Sequence, residues 1–271
     1  MTETTMTYQV SGEDNPKTIV FVHGWPDSGA MWVQQVRDLE SDYRCVCVTL
    51  PNFGASPDKS GGYRFAQLVE MLRDTIKQAQ PSGEPVYLVT HDWGAYIGYL
   101  LEAKHPELVQ KMVAMDVGGH SQPSGIKEAL MIVGYQWTLI AGWILGGIIP
   151  PLGTALSRGL GRVLDLSPER AAGIRSYFNY PYFHLWMDLL LPWRRKNLLG
   201  RYNPRCPVLY IYGADKPVMF HSKRWFQTVE ETEGRVEVVP DGGHWFMESH
   251  PEQINELIRE WFPAPAVLEG P

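Results

Sequence analysis

The segment Pro85-Val-Tyr-Leu-Val-Thr-His91-Asp92-Trp93-Gly94-Ala95 runs from an apolar, strand-forming stretch directly into a helix that should begin near Gly94. A sharp strand-to-helix turn of this kind projects one side chain above a sheet, and small neighbours permit the bend. The projecting side chain is Asp92, a carboxylate, where ordinary ester hydrolysis would ask for Ser or Cys. A carboxylate presented in this way attacks an sp³ carbon and forms an alkyl ester, which water must then hydrolyse. Since an Asp ahead of a helix also serves as an N-cap, its function depends on what else the chain brings to the turn.

Two further segments supply what such chemistry needs. Thr18-Ile-Val-Phe-Val-His23-Gly24-Trp25-Pro26 ends a strand in a His-Gly-X-Pro turn, suited to aiming a backbone N–H at the elbow as half of an oxyanion hole. Gly242-Gly243-His244-Trp245 follows an apolar run and offers His244 on a loop as a general base. A catalytic His needs an orienting carboxylate, and two strand ends provide one. Asp215 in Gly213-Ala-Asp215 is preferred, giving the chain order Asp92, Asp215, His244; Asp116, closing Met112–Val117, is the rival.

The elements that must position these residues are visible as apolar runs: Thr18–His23, Cys45–Leu50, Val86–His91, Met112–Val117, Val208–Tyr212 and Val236–Val239. Helix-period segments alternate with them: Phe65, Leu68, Val69, Leu72 and Ile76 share one face, as do Ile254, Leu257, Ile258 and Trp261 behind Pro251. That alternation predicts a mainly parallel sheet flanked by helices. The rhythm breaks after Gly118, where no strand-like run appears until about Pro204. The organisation is therefore a core of residues 1–117 and 205–262, an inserted helical cap of 118–204, and a loosely held tail, 263–271.

With 24 Lys and Arg against 30 Asp and Glu, the net charge of −6 excludes a nucleic-acid partner. Three Cys make no disulfide framework, and no secretory signal precedes Val10, so a reduced, cytoplasmic protein is expected. No metal-ligand spacing or dinucleotide-binding glycine motif occurs, and neither metal nor cofactor is expected.

Over residues 8–262 the chain resembles the α/β-hydrolase superfamily. His23-Gly-Trp-Pro26, His91-Asp-Trp-Gly94 and Gly243-His-Trp245 are similar to the epoxide hydrolases and, less closely, to the haloalkane dehalogenases. The resemblance implies a mostly parallel eight-stranded sheet with an inserted helical cap. It also implies attack by Asp92, water activation by His244 with Asp215, and an oxyanion hole of the Trp25 and Trp93 N–H groups. Opening an epoxide further requires proton donors, typically two cap Tyr hydroxyls. Tyr135 in Gly134-Tyr135-Gln136-Trp137 looks like the first, and Tyr182 stands for the second with Tyr180 and Tyr177 behind it. A dehalogenase would instead hold halide with the indole of Trp93 and an Asn where Trp25 stands. A non-catalytic ligand-binding homologue is the third reading. Thr90 and Thr49 depart from the family pattern, standing where Gly and Asp are frequent.

From Ala129 to Ser157 there is no charged residue, and Leu130–Leu152 is long enough to span a bilayer. A span would put Asp92 and His244 on opposite sides of the membrane, so the run is assigned to the cap. There it lines a channel for a bulky, apolar small-molecule substrate, with peripheral membrane contact as the other use. Gly142, Gly146, Gly147 and Pro150-Pro151 should interrupt any long helix.

Overall fold

The computed structural model describes residues 4–164 and 166–263; the expected tail beyond Pro263 lies outside the described residues. Along the chain run β1 (Thr7–Ser11), β2 (Thr18–Val22), α1 (Val33–Leu39), β3 (Arg44–Thr49), α2 (Phe65–Ala79), β4 (Val86–His91), α3 (Trp93–Lys104) and β5 (Val109–Met115). Four helices follow without a strand between them: α4 (Ile126–Ile148), α5 (Pro150–Val163), α6 (Pro168–Gly173) and α7 (Tyr180–Leu190). The chain then returns through β6 (Val208–Gly213), α8 (Lys223–Glu230), β7 (Arg235–Val239), α9 (Phe246–Ser249) and α10 (Pro251–Trp261).

The strands form one sheet of order β1-β3-β2-β4-β5-β6-β7, in which only β1 is antiparallel. The sheet has seven strands among the described residues where eight are expected: the apolar runs suffice for six parallel strands, and β1 adds one edge. Strands β2 and β4 are buried along their whole length, as strands covered on both faces must be, so they read as unbroken apolar runs. Alternate residues serve the two faces. Val20 and Val22 join the core beneath α2, α3 and the cap, whereas Ile19 and Phe21 join the core beneath α1 and α10.

The order of strands reverses between β2 and β4, and a crevice opens above the carboxyl ends of strands at such a point. His23–Trp25 follows β2 and Asp92 follows β4, so the sheet delivers both segments to the same place.

Helices α4 to α7 build the cap. Helix α4 is 23 residues long and apolar enough to cross a membrane, but Leu139, Ile140 and Trp143 pack into the core of the fold and α5 and α7 lie along it. Its glycines do not break it as expected; only the pair Pro150-Pro151 does, by opening α5. Gly142 and Gly146 instead permit contact: a Cβ on Gly153 of α5 would lie 2.3 Å from the Gly142 carbonyl oxygen. Close packing against α5 keeps α4 continuous where propensity alone would weaken it.

Candidate active site

Asp92 occupies the turn between β4 and α3 with φ 53° and ψ −121°, a strained conformation for a residue with a side chain. Its carboxylate is consequently lifted off the sheet toward the cap. The Trp25 N–H donates to Asp92 Oδ1 at 2.7 Å, and the Trp93 N–H donates to the same carboxylate. Gly24 is required by this approach, because a Cβ there would stand 2.1 Å from Asp92 Oδ1. Thr90 is accommodated by donating its hydroxyl to the Val113 carbonyl at 3.3 Å, and Thr49 accepts from the Gly29 N–H at 3.1 Å, so neither departure disturbs the turn it borders.

Burial raises the Asp92 pKa to about 6; the charge of His244 and the N–H groups of Trp93 and Trp25 act in the opposite direction. His244 Nε2 lies 3.8 Å from Asp92 Oδ2, too far for a direct hydrogen bond. The two carboxylate oxygens are thus differentiated. Oδ1 sits against the backbone donors, and Oδ2 faces the base.

The acid on His244 is Asp116, correcting the preference for Asp215. Nδ1 of His244 bonds Asp116 Oδ2, and Asp116 is fully buried. Asp116 leaves β5 at φ 69°, a turn fixed by its N–H on the Ile211 carbonyl at 2.8 Å and by the Tyr210 hydroxyl on its own carbonyl at 3.0 Å. Asp215 is exposed, with its N–H held 2.9 Å from the Gly242 carbonyl oxygen. It is the next residue, Lys216, that turns inward, and its ammonium bonds Asp116 Oδ1. One carboxylate therefore serves a histidine and a lysine, each on its own oxygen.

These neighbours set the charge state. Burial pushes the Asp116 carboxyl up, but His244 and Lys216 together outweigh it and hold it at about 2. Burial disfavours the charged His244 ring, yet Asp116, with Asp92 behind it, raises its basicity overall, and Lys216 pulls the other way. Sequence reasoning missed Lys216. Its only sequence signal was a basic residue directly after a strand-end Asp, which reads as a solvated pair until one of the two is known to point in.

His23 is a structural residue. Its Nε2 accepts from the Leu50 N–H at 2.9 Å, which leaves Nδ1–H to donate to the Gly24 carbonyl at 2.7 Å, and burial lowers its pKa to about 4. A neutral His23 thereby braces the turn that carries Trp25.

From the cap, Tyr182 on α7 enters the site. Its ring meets Trp93 edge-on at 4.9 Å, Trp25 at 6.2 Å and the Tyr135 ring of α4 at 6.1 Å. Burial drives both phenols upward, and the Asp92 carboxylate adds to it in each case, so both hydroxyls remain protonated beside it. The Tyr135 hydroxyl accepts from Gln136 Nε2 at 3.1 Å, which leaves its proton free. Tyr180 packs among Phe53, Tyr63 and Trp143, and Tyr177 packs on Trp143, so neither joins the group.

Several cross-links hold cap and core together, two of them beside the site. Trp25 Nε1 donates to Asn179 Oδ1 at 3.0 Å, while Asn179 Nδ2 donates to the Leu139 carbonyl and to Ser157 Oγ. Arg170 of α6 bridges Asp27 and Glu248 and lies over the Trp245 ring, next in sequence to His244. The buried Trp93 indole N–H faces the Tyr182 hydroxyl, close enough to stabilise its oxygen, without the alignment of a well-formed hydrogen bond. No group of three or more His, Cys, Asp or Glu among the described residues is arranged to hold a metal ion.

A seven-stranded, mostly parallel sheet bearing a nucleophile elbow, a cap between β5 and β6 and a histidine after β7 defines an α/β hydrolase. The chain belongs to that family: the model of the alpha/beta hydrolase fold matches residues 17–251. Its relatives include "Epoxide hydrolase 3" of Xenopus tropicalis, 24% identical over 94% of this chain and 73% of the relative. "Epoxide hydrolase 4" of Homo sapiens is 28% identical over 93% and 74%. Among solved structures, haloalkane dehalogenase DbeA from Bradyrhizobium elkani superposes with a TM-score of 0.71 at 21% identity, covering 94% of this chain and 93% of that one. A Bacillus megaterium epoxide hydrolase mutant complexed with its diol product gives a TM-score of 0.70 at 19% identity, covering 94% and 96%. The structural likenesses establish the fold. The curated relatives place the chain beside the epoxide hydrolases, as its motifs imply.

Proposed function

We propose that the protein hydrolyses an apolar epoxide to a vicinal diol. The observation that carries this reading is the pair of protonated phenols, Tyr135 and Tyr182, gathered over a carboxylate nucleophile. Asp92 Oδ2 attacks a ring carbon, the C–O bond breaks, and the departing oxygen takes a proton from a phenol. The product is an alkyl ester on Asp92. Oδ1, already facing the N–H groups of Trp25 and Trp93, is the oxygen on which negative charge develops when water adds to the ester carbon. His244 takes that water's proton at Nε2 while Asp116 stabilises the resulting imidazolium. Collapse expels the diol as the proton of the hydroxyl left on the tetrahedral carbon passes to the departing oxygen, and the His244 imidazolium gives up its proton to restore the phenolate to a phenol. The names of the relatives, epoxide hydrolases among them, support the same assignment.

Haloalkane dehalogenation is the second reading, favoured by the buried Trp93 indole N–H, which has no well-formed hydrogen bond and only the Tyr182 hydroxyl near it. It is weakened because the Trp25 indole, the nearest candidate for a second halide donor, is committed to Asn179. Wild type, Asp92→Asn, Tyr135→Phe and Tyr182→Phe, assayed with aryl and alkyl epoxides and with chloro- and bromoalkanes, separate the two. Diol release abolished by Asp92→Asn and reduced about 10²-fold or more by either Tyr change supports epoxide hydrolysis. Halide release indifferent to both Tyr changes assigns dehalogenation and leaves the phenols as packing.

A further inference from the structure

The cap carries an apolar face that nothing in the fold covers. Among the described residues, 14 of the 16 exposed large hydrophobic side chains lie between Ile126 and Trp193. Six of them, Ile126, Leu130, Val133, Trp137, Ile144 and Ile148, recur at intervals of three, four or seven along α4 and so fall within one narrow stripe of that helix. The opposite side of α4 is fixed to the protein, by Leu139 and Trp143 in the core and by Glu128 accepting from the Met219 N–H at 2.7 Å. The stripe is about 34 Å long at 1.5 Å per residue.

Charge is divided in the same way. Residues 118–204 hold nine Lys and Arg against four Asp and Glu, a net of +5, whereas the rest of the chain holds 15 against 26, a net of −11. Several of the cap's basic residues already act internally: Arg170 and Arg175 tie it to the core and Arg194 pairs with buried Asp188. Lys127, beside Ile126, and Arg195 and Lys196, just after the exposed Trp193, are themselves exposed and are paired with no carboxylate among the described residues. A long apolar stripe on a cap that also exposes Trp193 and unpaired cations matches a surface that is greasy beneath and negative above.

We propose that the outer face of α4, together with the exposed Trp193–Lys196 turn of the same cap, docks in the plane of an anionic lipid bilayer. The helix lies along the interface and does not cross it, because its other face is committed to the fold. The negative core is then directed away from the lipid by the same docking.

The test uses the whole chain in co-sedimentation with vesicles of phosphatidylcholine alone and of phosphatidylcholine with one-third phosphatidylglycerol. Wild type is expected to partition at least about tenfold more to the anionic vesicles, and to be released by salt. Leu130→Glu/Val133→Glu and, separately, Arg195→Glu/Lys196→Glu are expected to abolish that preference. Val33→Glu, which alters an exposed apolar residue of α1, is expected to leave it intact. Absence of wild-type binding to either vesicle overturns the proposal, as does equal binding to both that ignores the charge variant. Light scattering on the same proteins supplies the other arm. A dimer dispersed by Leu130→Glu/Val133→Glu, without vesicle binding, assigns the face to a second copy of the chain and overturns the lipid.

Discussion

Replacing Lys216 by Met removes a buried cation while preserving most of the stem's volume, and tests whether Asp116 shares its charge between two partners. With one carboxylate between them, the ammonium and the His244 ring stand roughly 6 Å apart; at an effective dielectric of about 20 two unit charges at that distance repel by roughly 3 kcal/mol. At about 1.4 kcal/mol per pKa unit this amounts to roughly two units, and relaxation of the site reduces it to about one. The sign follows from the geometry. The cation disfavours a proton on His244, so its removal raises the histidine pKa, and a base that must be neutral becomes available only at higher pH. In the Met variant the acid limb of kcat should therefore move upward by about one to two units, with the plateau above it nearly retained. Lys216→Arg, which keeps the charge, should leave the limb close to that of wild type. A ring titration of His244 by NMR reports the same shift without turnover. An unmoved limb and an unmoved ring titration in a folded Met variant would refute the shared-carboxylate argument, as would movement to lower pH.

Other expectations are open to simpler measurements. Because the Asp92 pKa is raised from 3.8 to about 6, the ionised carboxylate burdens the folded state above pH 6 and ceases to do so below about pH 4. Asp92→Asn should thus be inactive yet more stable than wild type by about 1–3 kcal/mol at pH 7.5, the difference vanishing toward pH 4; denaturant unfolding at both pH values checks it. Asp116→Asn should lower kcat by about 10³ to 10⁴ and destabilise the fold by about 3 kcal/mol, since Lys216 loses its carboxylate in a buried site, whereas Asp215→Asn should change neither appreciably. Gly24→Ala, which drives a methyl group onto Asp92 Oδ1, should cost at least about 10² in kcat and alter the Ki of product-like inhibitors by less; steady-state kinetics decide it.

Most of the fold was legible because its signals are local and repeated. The central strands β2 and β4 are buried on both faces, so Thr18–His23 and Val86–His91 read as continuous apolar runs, and the turn at Asp92 follows one of them directly. The histidine was found because glycines precede it on a loop after a strand. The acid was misread for a reason of geometry. Asp116 and Asp215 both end strands, and the side chain that meets His244 is chosen by a positive φ at Asp116 and by Lys216, not Asp215, turning inward, neither of which leaves a compositional mark. The glycines of α4 were likewise read as helix breakers because the contact that requires them is with α5, which no local pattern reveals.

The bond between Asp116 and Lys216 spans the two places where the chain leaves and re-enters the sheet. Asp116 ends the run into β5's exit, just ahead of the cap, and Lys216 follows β6, the first strand after it. The ion pair is therefore a clasp at the neck of the insertion, and the same carboxylate orients the base. Modularity is limited accordingly. A foreign cap grafted between residues 117 and 205 inherits a neck that already belongs to the proposed catalytic machinery, so a graft whose ends splay these two strands should release His244 from its carboxylate without touching Asp92.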